Sequence, residues 1–139
     1  MLFSTRTYRV ITLIPLIKFG IAMKVHTALG PGFQEKIYHK ALIHQLTDEG
    51  YNAEYEKEFN VVYNGRVVGN FRVDLLVNNK VIIELKAVTG EMPKLFQTQT
   101  ISYLKASSIE IGLLLNFGNQ SLEIKRFGNY HDYIHNTSV

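Results

Sequence analysis

Asp74, Glu84 and Lys86 stand inside the most apolar run of the chain, FRVDLLVNNKVIIELKAV at residues 71–88. Such groups are poor packing material but useful chemistry. Hard carboxylate oxygens suit a divalent cation such as Mg2+ or Mn2+, and an amine beside them can offset their charge. Whether the three meet depends on hairpin register. With a two-residue turn at Asn78-Asn79, Asp74 would face Ile83, and every pair would mix polar with apolar. With a three-residue loop, Asn78 to Lys80, Val77 faces Val81, Leu75 faces Ile83 and Val73 faces Leu85 on one apolar face. The other face then sets Leu76 against Ile82, Asp74 against Glu84 and Arg72 against Lys86. A one-residue slip would turn every side chain of one strand over, so the pattern predicts the second register.

Directly opposed residues have Cβ atoms about 4.5–5.5 Å apart. Two carboxylates that close repel unless a cation neutralises them. The competing reading is a solvated sheet face on which Arg72 and Lys86 balance the acids. Three features weigh against it: the acids are mid-strand, like charge opposes like, and the surrounding strands are apolar.

Other residues could join this chemistry. Glu35 and Tyr38 share a helical face at i,i+3, as do Gln99 and Tyr103 at i,i+4. Their ordinary roles would be a first-turn acid favoured by the helix dipole for Glu35, core packing for the tyrosines and an exposed amide for Gln99. His131 and His135 are also i,i+4 but have no evident third zinc ligand. His26, His39 and His44 show no ligand spacing. The cations, Lys36, Lys40, Arg66, Lys94, Lys105 and Arg126 among them, are scattered, which favours backbone contact over base reading for any nucleic acid.

Elements must position these groups. Apolar spacing predicts a helix over residues 16–29, stopped by Gly30-Pro31-Gly32. A second is predicted over 33–49, with Phe33, Ile37, Ala41 and Leu42 inward and Gly50 beyond its end. A strand over 58–63 leads to Asn64-Gly65, a hairpin turn, and to strands over 66–77 and 81–88. Pro93 opens a helix reaching about Ala106, and strands over 111–116 and 121–127 follow. The order ααβββαββ predicts an α+β domain with a mixed sheet.

The chain has 139 residues, 46% hydrophobic and 19% charged, enough for one domain with its own core. A net charge of +3 and a pI near 9.1 suit a polyanionic partner without requiring one. With no cysteine, disulfides, thiolate metal sites and cysteine nucleophiles are excluded. The N-terminal stretch faintly resembles a signal peptide, but Pro15 and Lys18 interrupt it and no small-residue cleavage site follows. It reads as too short and broken to cross a bilayer. The expectation is therefore an irregular lead-in over residues 1–15, one domain over 16–128, a frayed tail over 129–139, and a cytoplasmic location. The apolar N-terminal segment could serve a homodimer or a larger protein partner.

Asp74 followed by Glu84-Leu85-Lys86 resembles the PD-(D/E)XK nuclease superfamily. Gly32-Phe33-Gln34-Glu35-Lys36-Ile37-Tyr38, within LGPGFQEKIY, resembles the motif of its GxxExxY family. Gln99 to Tyr103 looks like the Q-x-x-x-Y helix motif of the recombination-nuclease branch, and GLLLNFG at 112–118 is also similar to the family. The resemblance covers about residues 20–127, and Val73 stands where the superfamily name has Pro. It implies a restriction-endonuclease-like fold and metal-dependent hydrolysis of DNA or RNA. It implies that Asp74, Glu84, the main-chain carbonyl of Leu85 and Glu35 hold Mg2+ or Mn2+. It implies that Lys86 holds the attacking water and that Gln99 and Tyr103 orient substrate or catalytic groups. The alternative is a non-catalytic nucleic-acid-binding or assembly module that keeps the fold.

Overall fold

The computed structural model describes residues 12–128. Residues 1–11 and the tail with His131 and His135 lie outside them. Helix α1 runs from Thr12 to Leu29. Then come α2 (Glu35–Asp48), β1 (Ala53–Tyr63), β2 (Arg66–Val77), β3 (Val81–Lys86), α3 (Lys94–Ser107), β4 (Ile111–Asn116) and β5 (Glu123–Gly128). The strands form one sheet in the order β1-β2-β3-β4-β5. The β3–β4 pair is parallel and the others are antiparallel, so the sheet is mixed and the fold is α+β, as predicted.

Helices cover both faces of the sheet. On one side Ile17, Ile21, Val25, Leu42 and Leu46 pack with Leu75, Val77, Val81, Ile83, Leu85 and Leu113. On the other, Leu104 of α3 packs with Val73, Leu76 and Ile82. Two-sided burial explains why β3 and β4 read as nearly continuous apolar runs. At Gly112 the third helix comes close: an added Cβ would lie 3.1 Å from the Thr100 methyl.

The first helix starts earlier than the predicted lead-in allows. Thr12 to Pro15 are helical, and Leu13 and Ile14 are buried in the core. Pro15 itself has helical φ and ψ, −59° and −36°, and does not interrupt the described helix. Leu16 to Ala22 form wider π-type turns, in which Met23 N–H donates to the Lys18 carbonyl five residues back. This helix is long and apolar enough by composition to cross a membrane, contrary to the sequence expectation. Its Ile17–Ile21–Val25 face packs in the protein core.

Elsewhere the differences are local. The second helix turns Tyr38, His39, Leu42 and Leu46 inward, whereas Phe33 and Ile37, predicted inward, are exposed. β1 begins at Ala53 rather than residue 58 because its EYEKE stretch is an edge strand: charged side chains there face solvent and leave no apolar alternation to read. Asn64 and Gly65 have φ of 49° and 74°, the left-handed pair of a tight hairpin turn.

Candidate active site

The hairpin register is the three-residue one. Leu75 pairs with Ile83, Leu76 with Ile82 and Val77 with Val81. Asn78 and Asn79 both take left-handed φ, 51° and 56°, and Lys80 N–H closes the loop on the Val77 carbonyl at 3.0 Å. Asparagine tolerates that conformation better than other side-chain-bearing residues.

Toward the site the strands leave regular pairing. Beyond Leu75–Ile83 the carboxylates stand in for backbone acceptors. Leu85 N–H donates to Asp74 Oδ2 at 2.7 Å, and Asp74 N–H donates to Glu84 Oε1 at 3.2 Å. Each strand thus presents an amide to the other strand's acid, and the two acidic heads are drawn into one gap.

Three predicted pairings, Asp74–Glu84, Val73–Leu85 and Arg72–Lys86, lie beyond the observed ladder, which ends at Leu75–Ile83. Val73 does not share a face with Leu75 and Leu85; it packs with Leu76 and Ile82 on the α3 side. The alternation of β2 breaks at Asp74, next to Glu56, whose φ is 49°. Arg72 does not face Lys86. Its guanidinium lies 3.7 Å from Glu58 and 3.9 Å from Glu56, on the exposed edge strand.

Burial pushes the pKa of Glu84 up to about 9, the neighbouring charge of Asp74 adds to the rise, and Lys86 opposes it. At neutral pH Glu84 therefore carries a proton unless a cation replaces it.

The other groups arrive from the flanking helices. Glu35 opens α2. Partial burial of its carboxyl raises its pKa, Asp74 adds to this, and Lys86 and His39 oppose it, so all four groups share one electrostatic neighbourhood. Tyr38 explains how that helix is launched. Its hydroxyl donates to the Gly30 carbonyl at 2.6 Å and accepts from Phe33 N–H at 3.2 Å. The ring is fully buried, stacked 4.8 Å from Phe117. The tyrosine of the G-x-x-E-x-x-Y stretch thus clamps the Gly30–Phe33 turn from which Glu35 projects. Gly32 has φ of 112°, a conformation that side-chain-bearing residues rarely adopt.

Sequence reasoning passed over His39. It is buried, with Nε2 3.2 Å from the Asp74 carbonyl oxygen and its ring 4.7 Å from that of Tyr55. The available signal was its i,i+4 spacing from Glu35, which puts both on the helix face that meets β2.

On the other side, Tyr103 stacks on Phe71 at 4.4 Å. Its pKa is raised by burial and then by the charges of Glu84 and Asp74, so it borders the same gap. Gln99 is half-buried one turn earlier in the helix. Lys86 ends β3 in register with Asn116, and its carbonyl accepts from Phe117 N–H at 2.9 Å. Its ammonium lies 4.3 Å from the centroid of the Phe96 ring.

GLLLNFG acquires a physical meaning in this setting. The buried Asn116 side chain accepts from Val88 N–H at 2.9 Å and donates to the Val88 carbonyl at 3.0 Å, as a strand partner would. Asn119 does the same to Gly90, at 2.8 and 2.9 Å. This ends β3 at Lys86 instead of the predicted 88, and ties the segment leading to α3 onto the end of β4.

Among the described residues, no three His, Asp or Glu side chains stand together as a ready metal-binding group. Asp74 and Glu84 instead have oxygens engaged by strand amides. The donor set still fits a hard divalent cation: adjacent carboxylates, one with its pKa raised by burial and by the other's charge, with a further acid in their field.

A family profile for the PD-(D/E)XK nuclease superfamily matches residues 16–127. The chain belongs to that superfamily. The crystal structure of SSO0001 is similar to it over 68% of this chain, at 24% identity and a TM-score of 0.53. The match spans 50% of the SSO0001 chain, so the likeness is one of fold. No curated protein matches the sequence. Asp74, Glu84 and Lys86, the residues on which the resemblance was drawn, sit where β2 and β3 part at one end of the sheet.

Proposed function

We propose that this protein is a GxxExxY-type member of the superfamily that hydrolyses phosphodiester bonds of nucleic acid, DNA first, with Mg2+ or Mn2+. One observation carries the reading. Two carboxylates from neighbouring strands meet in one buried gap, each accepting an amide from the opposite strand, and burial together with the charge of Asp74 raises the pKa of Glu84 to about 9. A purely structural site would gain from an amide or an apolar pair there.

Asp74 and Glu84 are the primary ligands, with Glu35 as a third acid. The Leu85 carbonyl is the main-chain ligand. A strand residue turns its N–H and C=O to the same neighbour, and Leu85 N–H already meets Asp74. When bound, the cation supplies Lewis-acid polarisation of the phosphoryl oxygen and lowers the pKa of a bound water. The chain does the rest. Lys86 directs N–H donors at the attacking water and the phosphate oxygens. Tyr103 and Gln99 border the substrate from α3. His39 anchors the Asp74 backbone against α2.

Cleavage of single- and double-stranded DNA and RNA, with Mn2+ and with chelator, tests the activity. The expected result is metal-dependent cutting that Lys86→Ala and Asp74→Asn both remove. The asparagine keeps an acceptor for Leu85 N–H, so the fold survives. Cutting by either variant at the unsubstituted rate would overturn these roles. Cation binding is also tied to pH. Because Glu84 must release its proton to bind, Mn2+ affinity by calorimetry should rise by up to about tenfold per pH unit between pH 6 and 8. A pH-independent affinity would place the ion elsewhere.

A further inference from the structure

We propose that Phe96 is a positioning residue for the active-site lysine. The inference rests on the reading of Lys86 given above, but its contact is independent of that reading. The Lys86 ammonium sits 4.3 Å from the Phe96 ring centroid, within cation–π range. Among the described residues it forms no ion pair, although Glu84 and Glu35 lie in its field.

The choice of partner matters chemically. A carboxylate partner would take up N–H donors of the ammonium and neutralise the charge. An aromatic face attracts the cation through its quadrupole without neutralising it, and leaves N–H donors for water and phosphate. A lysine side chain is also flexible, and ordering it at the moment of reaction is unfavourable. A ring that holds it beforehand removes that penalty.

Both partners are rigidly mounted. Lys86 is pinned by Phe117 N–H at 2.9 Å, and the segment after it by Asn116. Phe96 lies in the first turn of α3, where its N–H donates to the Pro93 carbonyl at 3.1 Å. The same helix is seated against β4 at Gly112, with an added Cβ there 3.1 Å from Thr100. The ring is half-buried, so its exposure leaves room for a substrate to approach the amine.

Two measurements test this on the full chain. In the first, lysines are reductively methylated with 13C, and the Lys86 signal is assigned by its loss in Lys86→Arg. Ring current should shift that signal upfield, Phe96→Leu should abolish the shift, and Phe96→Tyr should keep it. An unshifted signal in the unsubstituted protein overturns the contact. In the second, Phe96→Leu should lower kcat about tenfold, with KM for the oligonucleotide and Mn2+ affinity unchanged. Phe96→Tyr and Phe96→Trp should retain most of kcat. If leucine and tyrosine variants lose activity alike, or if leucine costs nothing, Phe96 is ordinary packing and the proposal fails. A shifted lysine signal in a protein that cuts no substrate would instead uphold the contact and refute the nuclease reading.

Discussion

Glu84→Gln should stabilise the metal-free protein at pH 8 and at the same time eliminate its metal-dependent activity. The unfolded carboxyl titrates near 4.5, whereas burial and Asp74 hold the folded one up to about 9. A group raised in this way is stabilising relative to high pH only while both states are protonated. As pH climbs from about 4.5 to about 9, the unfolded chain loses its proton and the folded chain must keep one, so stability drains away across that window. Glutamine is neutral throughout and can still accept from Asp74 N–H. The advantage of the variant should be small at pH 5 and grow by up to about 1.4 kcal/mol per pH unit, to several kcal/mol at pH 8. That corresponds to a melting temperature higher by roughly 10 °C or more. Cleavage with Mn2+ should fall by at least ~10²-fold, because a neutral amide is a poor ligand and cannot offset the ion's charge. Thermal melts in chelator from pH 5 to 9, paired with cleavage assays, decide the matter. A variant equally destabilised at all pH values would mean that Glu84 is ionised in the folded protein and that the two acids are not in competition.

Gly118→Ala should have the largest effect on stability. An added Cβ would lie 2.5 Å from the backbone N and C of Val88 and closer still to its carbonyl oxygen. That segment cannot move aside cheaply. Val88 is held by Asn116 through both its N–H and its carbonyl, and Lys86 by Phe117 N–H. Something in this network must break, at about 3 kcal/mol or more. Gly69→Ala is the control, since nothing lies within 4 Å of its added Cβ, and it should be nearly neutral. Urea unfolding of both variants gives the comparison. If Gly118→Ala unfolds at the same denaturant concentration as Gly69→Ala, the close packing of the two loops does not exist in solution. Because the displaced segment follows directly on Lys86, a folded Gly118→Ala protein should also lose activity.

The same residues show which features could be read from the chain. The Asn78–Lys80 loop and the register around it were legible because a slip by one position would have turned apolar side chains to the wrong face. Gly30, Gly32 and Pro93 marked helix limits through backbone restrictions that do not depend on context. The acidic start of β1 was not legible, since an edge strand need bury little. Nor was the turn of Val73 to the α3 side, which follows from an irregularity involving Glu56 on another strand. Arg72 was placed by face alternation alone, and its actual partners, Glu56 and Glu58, lie on β1.

By itself the sequence determined the order ααβββαββ and the presence of two acids and a lysine on paired strands. Those features depend on short-range periodicity and turn chemistry, which operate over a few residues. Only the tertiary structure decided that the strands part at Asp74, that each acid accepts an amide from the opposite strand, and that His39 braces the gap. It alone decided that Asn116 closes on Val88, 28 positions away, and that Lys86 rests on Phe96. Contacts of this kind arise when distant segments compete for the same buried volume and the same unsatisfied hydrogen-bonding groups, and no spacing within one segment encodes the outcome.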